Sequence, residues 1–495
     1  MSQAGSGLIH WIEERLAKRP PPFRRFPVVS GTRRPALRDG TRVIVVGGGM
    51  AGSAFARQLA RLTHLEGIRA EVTVLNSINC NYCGGLVTNL SADTLEGLYD
   101  LSVPSDRVLA RIDECIYANA EGRVQVPLDP PLASILRTSR FGEPGFDDAF
   151  KERMAEGLPP EAAQRLKLIE PARVVEMTPP AWGSSRGPSK PPPGEPARVT
   201  FMRHSIGGKP ILESVEGDIL VIATGLRSLG MKALDEFAER TGFELPRVMP
   251  ASVTELDVSS ARLNRLSHSV LVADGIIPGC VAAIIPKRRD WLTITSLRRV
   301  LTPEDVTWLL EHPSVRQLID LPKAGEHLRC KKVCPANVCI GPSSGFYGDG
   351  WLVVGDLTGY GRVLKDGYFA ALDTADLAAL TLVYQGSSRE VLRKYYEAPL
   401  KRRAADNRAG MNLFWINTRL SPTRWFSRLL VSAAQSEKRR SSYGGPIHAA
   451  IRAITMGELS YRVIWGLFIW GFVRYLALLP WFGLAASRRP HPKRT

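Results

Sequence analysis

The chain has few cysteines and no pattern that would join them into a disulfide framework. Only seven occur among 495 residues, and an odd number in a chain of this length is not typical of a disulfide-stabilised secreted protein. The N-terminus also lacks the basic, apolar and small-residue order of a secretory signal peptide. We therefore expect the folded part of the protein to lie on the cytoplasmic side of the membrane.

Acidic residues are scarce relative to basic ones. The 65 lysines and arginines outnumber the 48 acidic residues, for a formal charge of +17. Such an excess suits anionic lipid headgroups, nucleic acids or acidic partners. No nucleic-acid-binding motif accompanies it, and the basic residues are concentrated near both ends, so we predict contact with a membrane surface and no nucleic-acid partner. The apolar content of 44% is enough to build two or three domains.

A glycine-rich turn is the most informative segment of the chain. The β-branched residues 43–46 predict a buried strand, and residues 53–60 predict a helix. Between them, Gly47, Gly49 and Gly52 have the G-x-G-x-x-G spacing of a dinucleotide-binding loop. These glycines permit a tight turn, close approach to a pyrophosphate and close helix–strand packing. We predict a dinucleotide site, the alternative being a glycine-rich turn that binds nothing.

A second predicted strand, residues 71–75, ends at Asn76. An acidic residue usually stands here in dinucleotide-binding folds and accepts hydrogen bonds from the ribose hydroxyls. An asparagine side chain both donates and accepts hydrogen bonds, so Asn76 remains a predicted cofactor contact. The residue does not distinguish NAD from FAD.

Further strands are predicted after the glycine loop. The strand-like segments are 166–169, 172–177, 197–203 and 210–215. Residues 178–196, rich in Pro, Gly and Ser, predict a flexible surface insertion within a hairpin. A strand meander followed by the apolar strand 218–222 and Ala223-Thr224-Gly225 is the layout of a flavin-binding Rossmann domain.

A last apolar strand, residues 351–354, brings Gly355 and Asp356 to its carboxyl end. Ligands of open α/β sheets collect at that edge. A helix is predicted from Gly367 to residue 379.

Several other motifs accompany this framework in a definite order. They are Cys83-Gly84-Gly85; Arg137 and then Phe146-Asp147; 284–287, ending in Pro286-Lys287; and Gly355-Asp356 with Lys365-Asp366-Gly367. Together, over residues 41–385, they resemble the geranylgeranyl reductase family of FAD-dependent oxidoreductases, which share the p-hydroxybenzoate hydroxylase fold. Ala223-Thr224-Gly225 and the residues after Asp356 depart from the family pattern.

The resemblance implies roles for several of these positions. Asp356 would accept hydrogen bonds from the ribityl chain of FAD, and the helix beginning at Gly367 would point toward the flavin. Cys83 would lie beside the flavin as a catalytic proton donor or alkene-positioning group. The implied cofactor contacts are Gly47, Gly49, Gly52, Asn76, Thr224, Gly225, Gly355, Asp356, Lys365, Asp366 and Gly367. The implied substrate contacts are Gly84, Gly85, Pro286 and Lys287.

The predicted fold class is α/β, with an FAD-binding Rossmann-type domain interleaved with a mixed β-sheet substrate domain. A helical, membrane-associating C-terminal region completes it. The predicted segments are a basic N-terminal arm (1–40), the FAD-binding domain (41–100, 131–240 and 331–385), the substrate domain (101–130 and 241–330) and the C-terminal region (386–495).

The cysteines pose a separate question. Cys80 and Cys83 form a C-x-x-C pair, and Cys330, Cys334 and Cys339 are close together in sequence. Thiolates are preferred ligands of zinc and iron–sulfur clusters, but these spacings match no common site. We predict no bound metal, and redox-active thiols or buried small side chains remain the alternatives.

Residues 463–486 are almost wholly apolar and contain three tryptophans. The length just permits a membrane-spanning helix, but Arg474 near its centre would cost about 2.5–3.5 kcal/mol on insertion. An interfacial or re-entrant anchor avoids most of that cost. The alternatives are therefore contact with a membrane and a buried C-terminal helix.

Four functions are compatible with these patterns. The leading hypothesis is a membrane-associated enzyme that reduces double bonds of an isoprenoid or other lipid, with NAD(P)H, another reductant or an electron-donor protein reducing FAD. A flavoprotein that passes electrons to membrane quinone and a flavin-dependent monooxygenase are the enzymatic alternatives. A flavin-stabilised subunit of a membrane complex is the fourth, and fold alone does not separate them.

Overall fold

The structure is a computed structural model. It describes residues 35–77, 84–140, 142–181, 194–204, 209–258, 266–288, 291–319, 332–364, 367–440 and 445–486. Most of the predicted N-terminal arm and of the predicted insertion 178–196 lies outside these ranges. So do Cys80, Cys83, Cys330, Lys365 and Asp366.

A six-stranded sheet forms the first layer, in the order β16-β17-β10-β1-β2-β6. Its strands are β1 (Arg42–Val46), β2 (Glu71–Leu75), β6 (Leu166–Ile169), β10 (Ile219–Ile222), β16 (Tyr347–Gly348) and β17 (Trp351–Val353). All neighbours are parallel except β16 and β17. Residues 43–46 of β1 are buried, as the run of β-branched residues predicts.

Two long helices, α1 (Met50–Leu65) and α8 (Gly367–Tyr384), pack against each other beside this sheet. Both are rich in alanine at the contact, so their backbones approach closely. The buried alanines include Ala54, Ala56, Ala375, Ala378 and Ala379. Larger side chains, among them Phe55 and Leu382, fill the remaining space. The helix predicted from Gly367 is thus confirmed, and it extends beyond the predicted end to Tyr384.

An eight-stranded, mostly antiparallel sheet forms the second layer, in the order β15-β11-β14-β13-β12-β4-β5-β3. Its strands are β3 (Gly84–Val87), β4 (Val108–Asn119), β5 (Gly122–Leu136), β11 (Val248–Asp257), β12 (Ser269–Asp274), β13 (Val281–Pro286), β14 (Trp291–Leu297) and β15 (Cys334–Cys339). The helices α6 (Pro303–Glu311) and α7 (Pro313–Arg316) contribute to an apolar cluster with β12, β13 and β14.

A small three-stranded meander accompanies the first sheet. It consists of β7 (Arg173–Thr178), β8 (Ala197–His204) and β9 (Pro210–Gly217). The antiparallel pairing of β7 with β8 confirms the predicted hairpin. Shorter helices, α2 (Asn89–Tyr99), α3 (Phe146–Glu152), α4 (Pro160–Ala163) and α5 (Lys232–Thr241), connect the strands.

The C-terminal region is helical. It comprises α9 (Arg389–Leu392), α10 (Ala398–Arg403), α11 (Asn407–Leu420), α12 (Arg424–Arg440), α13 (Pro446–Met456) and α14 (Tyr461–Ala486). Residues of α12 and α13 pack against β4 and β5. A buried carboxylate on β12, Asp274, also joins the layers: Tyr117 Oη and Asn417 Nδ2 donate hydrogen bonds to its Oδ2 at 2.6 and 2.8 Å.

Helix α14 begins in the core and continues along the surface. Ile464 is buried, and the hydroxyl of Tyr461 donates a hydrogen bond to the carbonyl of Val363 at 2.5 Å. Farther along, Ile469 and Trp470 are exposed. Within the part of the chain that the structure describes, no helix is long and apolar enough to cross a membrane.

Candidate functional site: a dinucleotide loop facing a mixed sheet

The three motif glycines differ in what surrounds them. A Cβ on Gly47, whose φ is +108°, would lie 2.5 Å from the carbonyl oxygen of Ala223. A Cβ on Gly52 would lie 1.8 Å from the carbonyl oxygen of Gly47. No neighbouring atom lies within 4 Å of a Cβ on Gly49. Gly47 and Gly52 are therefore required by the turn and the packing, whereas Gly49 leaves open space next to the loop.

The loop leads directly into the N-terminus of α1. Gly49 is the N-cap and has no side chain to accept a hydrogen bond from the first turn, which also contains no acidic residue. Unpaired N–H groups and the helix dipole make such an end favourable for an anion. The geometry therefore suits a pyrophosphate group, as the glycine spacing predicts.

Asn76 lies at the predicted place beyond β2, and both ends of its amide are engaged. The N–H of Gly48 donates a hydrogen bond to Asn76 Oδ1 at 2.9 Å. Asn76 Nδ2 donates in turn to Glu170 Oε1 at 2.6 Å. Asn76 thus links the glycine loop to Glu170 through these two hydrogen bonds. Glu170 follows the neighbouring strand β6 and was missed by the sequence reasoning, although its place at a strand's carboxyl end was a usable signal.

Ala223-Thr224-Gly225 lies against the same loop. The N–H of Ala223 donates to the carbonyl of Val46 at 2.7 Å and so extends the sheet past β10. The hydroxyl of Thr224 is 2.8 Å from that of Ser228. Gly225 has a φ of +65°, a left-handed conformation that favours glycine.

The second motif meets the first at the start of α1. Gly355 has a φ of +76°, and a Cβ there would lie 2.9 Å from the Cβ of Ala51. Its N–H donates to Thr374 Oγ1 at 2.8 Å, which fixes the turn against α8. A Cβ on Gly367 would lie 3.5 Å from Asp356 Oδ1. Asp356 therefore lies between the N-terminal ends of α1 and α8.

A buried charged cluster adjoins Asp356. Arg137 Nη2 lies 3.6 Å from Asp147 Oδ2, and Tyr368 Oη donates to Asp147 Oδ1 at 2.7 Å. Burial raises the pKa of both Asp147 and Asp356, and the nearby Arg137 opposes that effect. Burial alone would lower the pKa of Arg137, but Asp147, Tyr368 and Asp356 raise it above its ordinary value. Arg137 therefore remains a cation.

The cluster has unused hydrogen-bonding capacity. Arg137 Nε and Asp147 Oδ2 are buried, and neither has a hydrogen-bond partner among the described residues. Buried polar atoms normally find partners, so a polar group bound beside Asp356 would satisfy them. Sequence reasoning placed Arg137 and Asp147 in a motif but assigned them no role.

The paired glycines of β3 allow three elements to meet. Gly85 pairs with Ile135 of β5, and a Cβ on Gly85 would lie 3.4 Å from Arg137 Cγ. A Cβ on Gly84 would lie 2.3 Å from Thr293 Cγ2 of β14. Side chains at either position would separate β3 from its neighbours. Cys83 precedes this pair directly in sequence and lies outside the described residues.

Two buried ionisable side chains lie in the second sheet near Gly84 and Gly85. Glu255 of β11 is fully buried and accepts hydrogen bonds from Trp291 Nε1 and, at 2.9 Å, from Thr293 Oγ1. Lys287 is buried as well, and its ammonium group donates to the carbonyl of Ile135.

Lys287 therefore lies next to β5, at the residue that pairs with Gly85 of β3, and its contact with a substrate stays a prediction. Pro286 ends β13 and precedes it directly. Glu255 was not predicted. Its only sequence signal was a charge within the otherwise uncharged segment 248–256 of β11, next to Asp257 at the strand end.

The described cysteines do not form a cluster. Cys334 and Cys339 are the first and last residues of β15, and an odd separation of five places them on opposite faces of the strand. Cys339 donates to the carbonyl of Gly341, and burial raises its pKa to about 11. Among the described residues, no three His, Cys, Asp or Glu side chains converge to hold a metal ion.

A flavin dinucleotide fits these residues. The open space at Gly49 and the uncapped start of α1 suit the two phosphates. Asp356 and the orphaned Arg137 Nε suit the polar chain that joins the phosphates to the flavin ring. Gly84 and Gly85 keep the second sheet close to that end.

The sequence matches no protein-family model, and comparison with curated proteins finds no match either. Solved structures do resemble it. A crystal structure of a geranylgeranyl bacteriochlorophyll reductase-like protein from Thermoplasma acidophilum has a TM-score of 0.52 at 14% identity, over 80% of this chain and 91% of that chain. A flavoprotein/dehydrogenase from Cytophaga hutchinsonii has a TM-score of 0.53 at 11% identity, over 85% of this chain and 93% of that chain.

Sequence identities this low do not establish a shared activity. The structural similarity establishes the fold. The predicted α/β fold with two interleaved sheets is confirmed. This chain thus shares its fold with a geranylgeranyl bacteriochlorophyll reductase-like protein and with a flavoprotein/dehydrogenase, as its motifs predict.

Proposed function

We propose that this protein is a membrane-associated, FAD-dependent oxidoreductase that reduces carbon–carbon double bonds of an isoprenoid or another lipid. The position of Arg137 carries the proposal. Its guanidinium group interacts with Asp147 and Asp356 on the side of the dinucleotide loop, and its side-chain stem lies against Gly85 of the second sheet. A cofactor held by the loop would therefore end next to the face of that sheet.

The cofactor would be held by groups of both motifs. The phosphates of FAD would meet the N–H groups that follow Gly49, because no side chain caps the start of α1. Asp356 would accept hydrogen bonds from the ribityl hydroxyls. Arg137 stays charged and would donate to polar atoms of the same chain or of the flavin ring, which also gives its buried Nε a partner.

When bound and reduced, FAD supplies the hydride that one alkene carbon receives. The protein must orient the alkene, exclude water and deliver a proton to the other carbon. Cys83 remains the predicted proton donor. Glu255 is a second candidate, because its buried carboxyl group accepts a hydrogen bond from Thr293, which lies against Gly84. NAD(P)H or an electron-donor protein is the proposed source of electrons.

The exposed face of α14 supports the membrane part of the proposal. Ile469, Trp470, Val473 and Leu476 follow one another at helical spacing, and each exposes 50–56% of its surface. The opposite face packs on the protein through Ile464 and the half-buried Phe468 and Phe472. Water disfavours such an exposed apolar face by roughly 25 cal/mol per Å².

Charge next to this face favours lipid over a second protein. Trp425 is also exposed, and its neighbour Phe426 lies 6.0 Å from Phe472 of α14. The flanking residues Arg424 and Arg428 both pair with Glu121, at 2.9 and 3.0 Å, yet expose most of their side chains, so the group keeps one net positive charge. Tryptophans beside exposed arginines suit the headgroup region of an anionic bilayer. We therefore propose attachment to the cytoplasmic side of a membrane through this surface.

The direct test uses full-length protein. Purified protein should show flavin absorbance, and after reduction in the absence of oxygen it should saturate double bonds of a polyprenyl alcohol in phospholipid vesicles, measured by mass spectrometry. Protein that neither carries nor binds FAD would overturn the proposal. Bound flavin that is reoxidised only by a quinone would identify an electron carrier, and an oxygenated product formed in air would identify a monooxygenase.

A further inference from the structure

A polar cluster outside the motifs lies where β2 and β6 end. Leu75 and Ile169 are paired in the parallel register, so the next residues, Asn76 and Glu170, stand side by side at the same edge of the sheet. Asn76 Nδ2 donates to Glu170 Oε1 at 2.6 Å. Lys151 of α3 donates to the same oxygen at 2.7 Å.

Asn76 uses both its amide oxygen and its amide nitrogen for hydrogen bonds within the protein. Its Oδ1 accepts the N–H of Gly48, and its amide nitrogen donates to Glu170. Both bonds hold the glycine loop and the end of β6 together. These bonds give Asn76 a structural role, and as a neutral amide it is a weaker acceptor for a diol than a carboxylate.

Glu170 has a whole carboxylate oxygen available for a ligand. Both of its hydrogen bonds end on Oε1, and Oε2 has no hydrogen-bond partner among the described residues. The side chain is 21% exposed, so a ligand at the sheet edge can reach it. Lys151, which also lies 3.3 Å from Asp148 Oδ1, holds positive charge beside Glu170.

We propose that Glu170 supplies the carboxylate that accepts hydrogen bonds from the ribose hydroxyls of the adenosine half of the cofactor, while Asn76 and Lys151 hold it in place. The inference rests on the proposed binding of FAD. In this arrangement the carboxylate that binds the ribose follows β6 instead of β2. The two strands are neighbours, so it lies at the same edge of the sheet. A carboxylate here also disfavours a ribose that carries a 2′-phosphate.

The test is ligand binding to full-length protein freed of cofactor, titrated with FAD, ADP and 2′-deoxyADP. Hydrogen bonds to charged groups are strong, so Glu170→Gln should weaken FAD and ADP binding by about ten- to a hundredfold. The wild type should bind ADP more tightly than 2′-deoxyADP, and Glu170→Gln should remove most of that difference. Glu161→Gln, which changes an exposed carboxylate on α4, is the matched control and should bind as the wild type does.

The outcomes separate this inference from the proposed function. FAD binding by the wild type with unchanged affinity and unchanged ADP preference in Glu170→Gln would overturn the role of Glu170 alone. A wild type that binds ADP through Glu170 but not FAD would overturn the proposed function alone, and binding of neither would overturn both. Thermal unfolding without ligand checks the fold of each variant. If Glu170→Gln unfolds, Glu170→Asp replaces it, and retention of full affinity and preference by that shorter acid would count against the inference.

Discussion

Arg137, which is half-buried, and Asp147, which is buried, form a pair in which neither side chain uses all of its hydrogen-bonding capacity. Their closest atoms, Nη2 and Oδ2, are 3.6 Å apart, and Arg137 Nε and Asp147 Oδ2 have no hydrogen-bond partner among the described residues. A buried pair with unsatisfied atoms is costly unless a third group completes it. The pair stands between the dinucleotide loop and the second sheet, where the proposed cofactor would supply that group.

Gly49 offers a clean test of cofactor placement. Its φ of −72° and the open space around it should allow Gly49→Leu to fold normally, while the side chain occupies the place of the phosphates. We expect purified Gly49→Leu to lack flavin absorbance yet unfold at the wild-type temperature. Gly97→Leu, at an exposed helical glycine with equal space, is the control and should keep its flavin. Full flavin occupancy in Gly49→Leu would show that the loop does not hold the phosphates.

The two candidate proton donors can be separated by turnover. General acid catalysis contributes about 10²–10⁴-fold to a rate, so replacing the true donor should lower double-bond reduction by that order while the flavin spectrum remains. We expect this loss for Cys83→Ser. Unchanged turnover would mean that Cys83 has a packing role and does not donate the proton.

Glu255→Gln keeps the size of the buried side chain and removes its ability to ionise. If Glu255 relays or supplies the proton, turnover falls by about 10²–10⁴-fold and any dependence of the rate on the ionisation of this group disappears. The comparison is Glu311→Gln, at an exposed position on α6, which should match the wild type. A Glu255→Gln protein with a normal rate and a normal pH profile would restrict this carboxyl group to a structural role.

The membrane proposal predicts a change in lipid binding from the exposed face of α14. Replacing Ile469, Trp470, Val473 and Leu476 together with serine should abolish co-sedimentation with vesicles of anionic phospholipid and leave the flavin bound. Wild-type protein that stays in solution with these vesicles would contradict the proposal. A wild type that dimerises through this face, with the variant monomeric, would assign the surface to a second copy instead.

Deleting the whole of α14 would be a poorer test of membrane binding. Tyr461 packs under Arg362, whose guanidinium lies 4.3 Å from the ring centroid, and bonds to Val363 near the second motif. The truncated protein should therefore lose stability for reasons unrelated to lipid.

Asp274 predicts a dependence of stability on pH. Burial raises the pKa of this carboxyl group above its ordinary value of 3.8, although Tyr117 and Asn417 donate hydrogen bonds that oppose the change. A raised pKa in the folded state means that its stabilising contribution is complete below pH 3.8 and is lost as the pH rises through the folded-state pKa. Each unit by which the pKa of the folded state exceeds that of the unfolded state changes the free energy of unfolding by about 1.4 kcal/mol.

Asp274→Asn removes this ionisation and keeps an oxygen acceptor. We expect the free energy of unfolding of the wild type, measured with urea from pH 4 to 8, to fall relative to that of Asp274→Asn as the pH rises. The difference should become constant above the folded-state pKa. A difference that does not change with pH, or that favours the wild type more at high pH, would contradict this account.

Local patterns were sufficient to predict the parallel strands of the first sheet, but not its short edge strand β16. The β-branched run of β1, the glycine spacing and the apolar strand before Gly355 each have a direct local cause, and the structure brings Gly47 and Gly355 to the same helix end. The carboxyl ends of parallel strands meet at one edge, so their convergence followed from chain order alone. Cys83, Lys365 and Asp366 lie outside the described residues and remain predictions.

The sequence by itself determined most strands of the first sheet, the dinucleotide loop and the order of the motifs, because each depends on neighbours within a few residues. Only the tertiary structure decided which side chains meet across the second sheet. β3 and β14 are five places apart in its strand order, and curvature of the sheet brings Gly84 against Thr293 and so beside Glu255. In the same way, the pairing of β2 with β6 placed Glu170 beside Asn76, a contact between residues 94 positions apart that no local pattern encodes.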